Sequence, residues 1–320
     1  MADKLPELLS PAGSGEAFDA AIEGGADAIY FGGTAFNARM SAKNFDGDSL
    51  GVYVSKAHAY GVKCYVTLNT LVGDRELDKA LAAAREFYEK GVDALIVADL
   101  GLAAAIRRLL PDLELHASTQ MSGHNSAAAK ELEKFGFSRM VIAREATLGD
   151  IKSFTETSNL ELEVFVHGAL CVSHSGQCLF SSMVGGRSGN RGECAQPCRL
   201  PYASGYSLSL KDLCLAGHIK ELIDAKVASL KIEGRMKPPD YVYNVTKTYR
   251  KLLDERRNAT PDEIKYLSEV FSRGGFTDGY FCGKIGHGML GVRSKEDKEA
   301  SHGVEKFEGL KRKVPVDIKA

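Results

Sequence analysis

At 320 residues the chain is long enough for one large α/β domain, and its formal charge of −1 excludes a globally basic nucleic-acid binder while allowing a local basic patch. Hydrophobic residues make up 44% and the mean hydropathy is −0.17, so a sizeable core is available, but no apolar run is long enough for a membrane span. Met1 to Pro6 lack the apolar stretch of a signal peptide, so the chain is expected in the cytoplasm, where its seven cysteines argue for metal or redox chemistry over a disulfide framework.

One local pattern recurs along the chain. A helical stretch ends at a glycine and a short apolar run follows, at Gly25, Gly61, Gly91 and Gly136. A helix closes well on a residue that accepts positive φ, and a continuous apolar run suits a parallel strand buried on both faces. The runs predict eight strands, at 7–10, 26–31, 63–68, 93–98, 113–118, 139–143, 161–167 and 229–232. Between them lie amphipathic helices, with Phe18, Ala21 and Ile22 on one face of 16–23 and Leu77, Ala80, Leu81, Ala84 and Phe87 on one face of 76–88. Eight β–α alternations predict a (β/α)8 TIM-like barrel, with an open doubly wound sheet as the fallback.

The alternation breaks once, at 168–212, before a helix predicted to start near Leu213. Long irregular loops in compact domains are usually functional or disordered, and this one leaves the C-terminal end of a strand, where barrel enzymes keep their active sites. The barrel with its loop is assigned to 1–257. Helices at 240–255 and 262–271 lead into a C-terminal helical extension, 258–320, whose last residues, 313–320, read as the start of a strand. That ending predicts that the chain is an N-terminal portion of a longer protein.

Within the loop, Cys171, Cys178, Cys194 and Cys198 are separated by six, fifteen and three residues. Four converging thiolates ligate either zinc or an iron–sulfur cluster, and the glycines at 176, 185, 186, 189 and 192 let backbone wrap an inorganic core. Spacing alone does not separate zinc from iron–sulfur. Cys64 and Cys282 read as core or incidental, and Cys214 is kept as an alternative ligand.

The segment Glu163-Val-Phe165-Val-His167-Gly168-Ala-Leu-Cys171, continued by Gly176-Gln-Cys178-Leu-Phe180-Ser181, resembles the signature of the peptidase U-32 family, with Phe180 departing at a usually aliphatic position. Further matching pieces include His116-Ala-Ser-Thr-Gln120, Arg144-Glu145, Asn190-Arg-Gly-Glu-Cys194 and Lys231-Ile-Glu233-Gly-Arg235. The likeness is greatest to the branch that hydroxylates a cytidine of large-subunit ribosomal RNA; sister branches hydroxylate a transfer-RNA uridine or assist ubiquinone hydroxylation. The resemblance implies a 4Fe–4S cluster on the four cysteines, prephenate as co-substrate, and hydroxylation of a pyrimidine at carbon 5 in structured RNA.

Around the loop, predicted strand ends present polar residues. His167, Glu145 and Glu233 are the candidate catalytic groups. Arg39, Asn69, His116, Gln120, Arg144, Lys231 and Arg235 are candidates for holding substrate or a dicarboxylate, because guanidinium forks match carboxylates. Arg187, Arg191 and Arg199 are candidates for RNA phosphate. Two other readings remain open: a peptidase, and a non-catalytic cluster-bearing partner of a second subunit. A zinc or serine peptidase finds no H-E-x-x-H and no G-x-S-x-G. A cysteine peptidase would pair Cys171 with His167, about 13 Å away between Cα atoms on an extended strand unless the chain turns at Gly168.

Overall fold

Gly25, Gly61, Gly91 and Gly136 do adopt positive φ, from +71° to +86°, and each hands the chain to a buried strand. The computed structural model describes residues 4–38, 45 and 47–315. Its strands are β1 (Glu7–Pro11), β2 (Ala28–Gly32), β3 (Lys63–Leu68), β4 (Ala94–Val97), β5 (Glu114–Ala117), β6 (Arg139–Val141), β7 (Glu161–Gly168), β8 (Asp212–Cys214), β9 (Ser229–Ile232) and β10 (Phe276–Thr277). The helices are α1 (Gly15–Glu23), α2 (Gly47–Ala59), α3 (Leu77–Glu89), α4 (Leu100–Leu109), α5 (Ser126–Lys134), α6 (Leu148–Thr157), α7 (Phe180–Gly185), α8 (Ile219–Asp224), α9 (Pro239–Asp254), α10 (Pro261–Val270) and α11 (Lys295–Ala300). Among the described residues no helix is long and apolar enough to cross a membrane.

The strands β1 to β7 pair in sequence order, all parallel, and β9 pairs with both β7 and β1. That double pairing closes an eight-stranded parallel barrel, so none of these eight strands is an edge strand. Outside it, α9 lies on α1, with Ser10 Oγ and Thr246 Oγ1 2.8 Å apart and Arg250 paired to Asp27 at 2.9 Å. The main core fills the space between barrel and helices; Phe18, Ala21 and Ile22 of α1 and Ala80, Ala84 and Phe87 of α3 are buried there as their spacing predicts.

Two short strands were not legible. The helix expected near Leu213 is instead β8, which runs antiparallel to the end of β7, and α8 starts only at Ile219. β10 then adds to β8 in parallel, so part of the 258–320 segment joins the sheet. Neither strand exceeds three residues, too few for periodicity to register. Residues 313–315 carry no regular structure, and 316–320 lie outside the described residues.

The barrel interior departs from the usual layers of branched apolar side chains. One part is apolar, formed by Leu9, Ala28, Tyr30, Tyr65, Ala94 and Ile96. The rest is ionic. Arg139 donates to Glu7 (2.6 Å), Glu161 (2.7 Å) and Glu163 (3.3 Å), Lys231 donates to Glu163 (2.7 Å), and the Tyr65 hydroxyl donates to Glu7 (2.6 Å). Glu163 is fully buried; burial pushes its carboxyl up, but Lys231 and Arg139 outweigh that and hold it below the ordinary range.

Candidate functional site at the barrel mouth

The cysteine loop leaves β7 through Gly168, whose φ of +106° turns the chain where any Cβ would lie 2.6 Å from the Glu233 carbonyl oxygen. It then crosses the C-terminal ends of the barrel strands and is bonded to several of them. Beyond β6, Glu145 accepts from the Ser175 amide (2.5 Å) and hydroxyl (2.9 Å). Beyond β5, the Ser122 hydroxyl donates to the Ser175 carbonyl (2.5 Å) and accepts from Gln177 Nε2 (2.9 Å). Gly176 passes so close to Gln120 that a Cβ would sit 2.2 Å from its carbonyl oxygen. Beyond β3, Arg191 pairs with Glu76 (2.5 Å) and donates to the Leu71 carbonyl (3.0 Å). Arg199 closes the base of the loop on the carbonyls of Leu170 and Leu210. The loop is therefore ordered and lies over the mouth, as expected.

The four cysteines stand on this platform. Cys171 and Cys194 are exposed, Cys178 and Cys198 partly so. Burial pushes the Cys198 thiol up, Arg199 opposes it, and Cys171, Cys194 and Cys178 push it further up, so each of the three is within electrostatic reach of Cys198. Among the described residues no three of these sulfurs lie all within 4.8 Å of one another. Cys214 is buried at the end of β8, its sulfur 3.8 Å from the Tyr249 hydroxyl, and belongs to the core.

Below the loop, Arg144 is one-tenth exposed, donates to Glu233 (2.6 Å) and lies with its guanidinium carbon 4.0 Å from the centre of the Phe165 ring. Arg144 Nε and Gln120 Oε1 are buried without a hydrogen-bond partner. A buried donor or acceptor left unpaired costs stability unless something polar is to be bound there. Asn69 is spent on local structure, accepting from the Ala38 amide (3.1 Å) and donating to Ser118 (3.2 Å). Arg235 donates to Thr67 (2.8 Å) and reaches Asn37 (3.4 Å). Arg39 lies outside the described residues.

Several assignments are corrected. His167 does not face the mouth. The register of β7 with β9 slips between Phe165 and His167, turning the imidazole onto α9, where Nδ1 meets the Tyr249 hydroxyl (3.3 Å) and the ring packs on Tyr241 and Phe276. Burial, reinforced by Lys237, lowers its pKa to about 3, which favours the neutral imidazole at pH 7. The chain does turn at Gly168, yet His167 is buried on the outer side while Cys171 is exposed on the loop, so the cysteine-peptidase pair has no basis. His116 sits fully buried within the barrel against the Tyr65 ring, its Nε2 3.4 Å from Glu114, and burial lowers its pKa as well. Lys231 is committed to Glu163 one level below the mouth. Arg191 and Arg199 fasten the loop, Arg191 through an exposed ion pair and Arg199 through part-buried bonds to backbone carbonyls, and Arg187 is exposed as well. Arg144 and Glu145, neighbours in sequence, serve different partners instead of each other.

Sequence reasoning left Ser175, Ser122 and the Arg139–Glu163 pair unassigned. Serines in a glycine-rich loop carry no pattern that distinguishes an anchor. Glu163 and Arg139 stand in strands, where nothing local says that two charges will meet inside a barrel.

Among curated proteins, the 23S rRNA 5-hydroxycytidine C2501 synthase of Escherichia coli K12 is 44% identical over 259 residues, which cover 78% of this chain and 39% of that protein. The tRNA hydroxylation protein P1 of Bacillus subtilis 168 is 36% identical over 268 residues, covering 78% of this chain and 64% of its own length. The chain thus spans less than two thirds of either relative. Among solved structures, the U32 peptidase Mk0906 has a TM-score of 0.54 at 16% identity, covering 75% of this chain and 96% of that one, a likeness of fold alone. The sequence model of Peptidase family U32 matches residues 13–290, the barrel from α1 onward with its cysteine loop, and the chain belongs to that family.

Proposed function

We propose that this chain is the barrel portion of an RNA-modifying enzyme that hydroxylates a pyrimidine base at carbon 5, in ribosomal or transfer RNA of the cytoplasm. The observation that carries the reading is the position of the four-thiol loop, bonded across the mouth directly above Arg144 and Gln120, whose buried Nε and Oε1 lack partners. The names of the two curated relatives support RNA as the substrate class and hydroxylation as the reaction.

Cys171, Cys178, Cys194 and Cys198 would hold a 4Fe–4S cluster. Four thiolates ligate a 4Fe–4S cluster as they do zinc, and the glycines around them leave room for the larger inorganic core. When bound, the cluster supplies the one-electron chemistry that side chains lack. Replacing a ring hydrogen by hydroxyl is a two-electron oxidation, so an oxygen donor and an electron acceptor must come from co-substrates. Arg144, held by Glu233 and stacked on Phe165, presents its Nε edge to an anionic co-substrate of the dicarboxylate type, for which prephenate is the candidate. Gln120 Oε1 accepts a hydrogen bond from the base or the co-substrate. Glu145 keeps the loop at a fixed height above both. A base in folded RNA has to leave its stack to reach this depth.

The test is mass spectrometry of ribosomal and transfer RNA nucleosides from a strain lacking the complete protein. Loss of one 5-hydroxypyrimidine, restored by the wild-type gene but not by Cys171→Ala, is the expected result. An unchanged nucleoside profile would sink the proposal.

A further inference from the structure

Outside the mouth, three groups of different chemistry converge at one point. Asp278 Oδ2 lies 2.9 Å and Cys282 Sγ 3.9 Å from the same ring nitrogen, Nε2, of His218, and the sulfur is 3.3 Å from that carboxylate oxygen. We infer that His218, Asp278 and Cys282 form a binding site for a single divalent transition-metal ion of the zinc class, separate from the loop thiols.

The geometry carries this in three ways. Zinc bonds of about 2.0–2.1 Å to nitrogen, 2.0–2.2 Å to oxygen and 2.3 Å to sulfur, set tetrahedrally, put ligand atoms about 3.4–3.6 Å apart. Each of the three observed separations is within about half an ångström of that, so a small outward movement admits the ion. The second point is the far side of the imidazole. Glu221 Oε1 faces His218 Nδ1 at 3.6 Å, and Glu221 is itself held by Asn258 Nδ2 at 3.0 Å. A carboxylate behind the ligating histidine is the usual outer shell of a zinc site, fixing the tautomer that leaves Nε2 free to ligate. The third point is the scaffold. Asp278 and Cys282 stand one helical turn apart, the Cys282 amide donating to the Asp278 carbonyl (2.9 Å). His218 is brought beside them because β10 pairs with β8 in parallel. The pairing of these two accessory strands thus creates the site.

The arrangement differs from a cysteine-peptidase dyad. There the histidine offers one nitrogen to the thiol and the other to a carboxylate. Here Glu221 does face Nδ1, but a second carboxylate, Asp278, meets Nε2 at 2.9 Å, nearer than the thiol at 3.9 Å, so Nε2 is not a free base for Cys282. Nitrogen, oxygen and sulfur donors together favour a borderline-soft ion over magnesium or calcium. Three protein ligands leave a fourth position open to solvent, since Cys282 is exposed and Asp278 is 46% exposed.

The loop thiols are proposed to hold a cluster, so the test has to separate the two sites. Cobalt chloride is added anaerobically to the full chain with Cys171, Cys178, Cys194 and Cys198 all replaced by Ala. One cobalt should bind, with thiolate-to-cobalt absorption in the near ultraviolet, and Cys282→Ser or His218→Ala added to that chain should abolish the band. Absence of a thiolate band, or its persistence after Cys282→Ser, overturns the inference. Should the four-alanine chain not fold, alkylation of Cys282 by iodoacetamide in the otherwise wild-type chain decides. Zinc chloride should slow it at least tenfold, and His218→Ala should remove the protection. Equal rates with and without zinc refute the site.

Discussion

The interior of the barrel and the loop above it are both built on polar and ionisable groups, and they treat them in opposite ways. Inside, Glu7, Arg139, Glu163, Lys231 and Tyr65 satisfy one another at 2.6–3.3 Å and leave little reach for a ligand. Above, four thiols stand exposed or half-exposed, and Arg144 Nε and Gln120 Oε1 point at no protein partner. The lower region spends its charge on closing and holding the barrel. The upper region keeps its polar atoms for something that binds. Charge near a barrel mouth therefore does not by itself mark a ligand site; whether its hydrogen bonds are already used does.

The sharpest way to break this comparison is to remove a loop thiol. Cys171→Ala or Cys194→Ala should eliminate all cluster iron and acid-labile sulfide, because loss of one thiolate opens the core to oxidation. The apo-protein should unfold at nearly the wild-type temperature, since the removed side chains are exposed. Iron analysis and thermal unfolding on the same sample read both halves.

The interior should show the reverse. Glu163→Ala leaves Lys231 and part of Arg139 buried without a counter-charge, so chemical denaturation should find about 3–5 kcal/mol of lost stability. Replacing both Glu163 and Lys231 by Leu should recover much of that, which would identify the penalty as the orphaned charge. A fully stable Glu163→Ala protein would mean that the interior network is not structural.

Between the two regions stands Arg144. Arg144→Ala should spare iron and fold but lower the hydroxylated nucleoside about 10–100-fold in a complementation assay, the worth of one or two charge-assisted hydrogen bonds. Arg144→Lys keeps the charge and loses the fork, and should restore only part of it.

His167, buried between the barrel and α9, gives a further test through pH. Its folded pKa of about 3 lies below the ordinary 6.5, so between those values the unfolded chain binds the extra proton. Its neutral burial costs nothing above pH 6.5, and stability falls as pH drops from 6.5 toward 3, by up to about 1.4 kcal/mol per unit. Glu163, held low in the fold, adds loss of the same sign as acid protonates it. His167→Gln should flatten the slope between pH 6 and 4 in urea titrations; an unchanged slope would mean that His167 takes up its proton in the fold.

Arg191 should give the smallest effect. It holds the Glu76 carboxyl down to about 2 through an exposed pair. Arg191→Ala should leave iron content and salt-dependent RNA affinity unchanged and only quicken proteolysis within 168–212. Weaker RNA binding would return Arg191 to the phosphate-contacting role that its ion pair now argues against.

The sequence by itself determined the barrel and the long cysteine-bearing loop after β7. Gly25, Gly61, Gly91 and Gly136 each precede a strand, and the bounds 63–68 and 229–232 fall on the observed β3 and β9, because helix closure and two-sided burial are local demands that each segment writes into its own residues. The thiol quartet was equally legible, since its four residues fall within one loop. Tertiary structure decided what each strand-end residue does. A slip of register in β7 turned His167 outward, closure of β9 on β7 and β1 sent Lys231 to Glu163, and the loop's own anchoring consumed Glu145, Arg191 and Arg199. The same holds for Cys282, which reads as incidental until β10 docks on β8 and sets it beside His218. A side chain's partner is fixed by which strand arrives next to it, and that is a property of the closed barrel rather than of any segment of the chain.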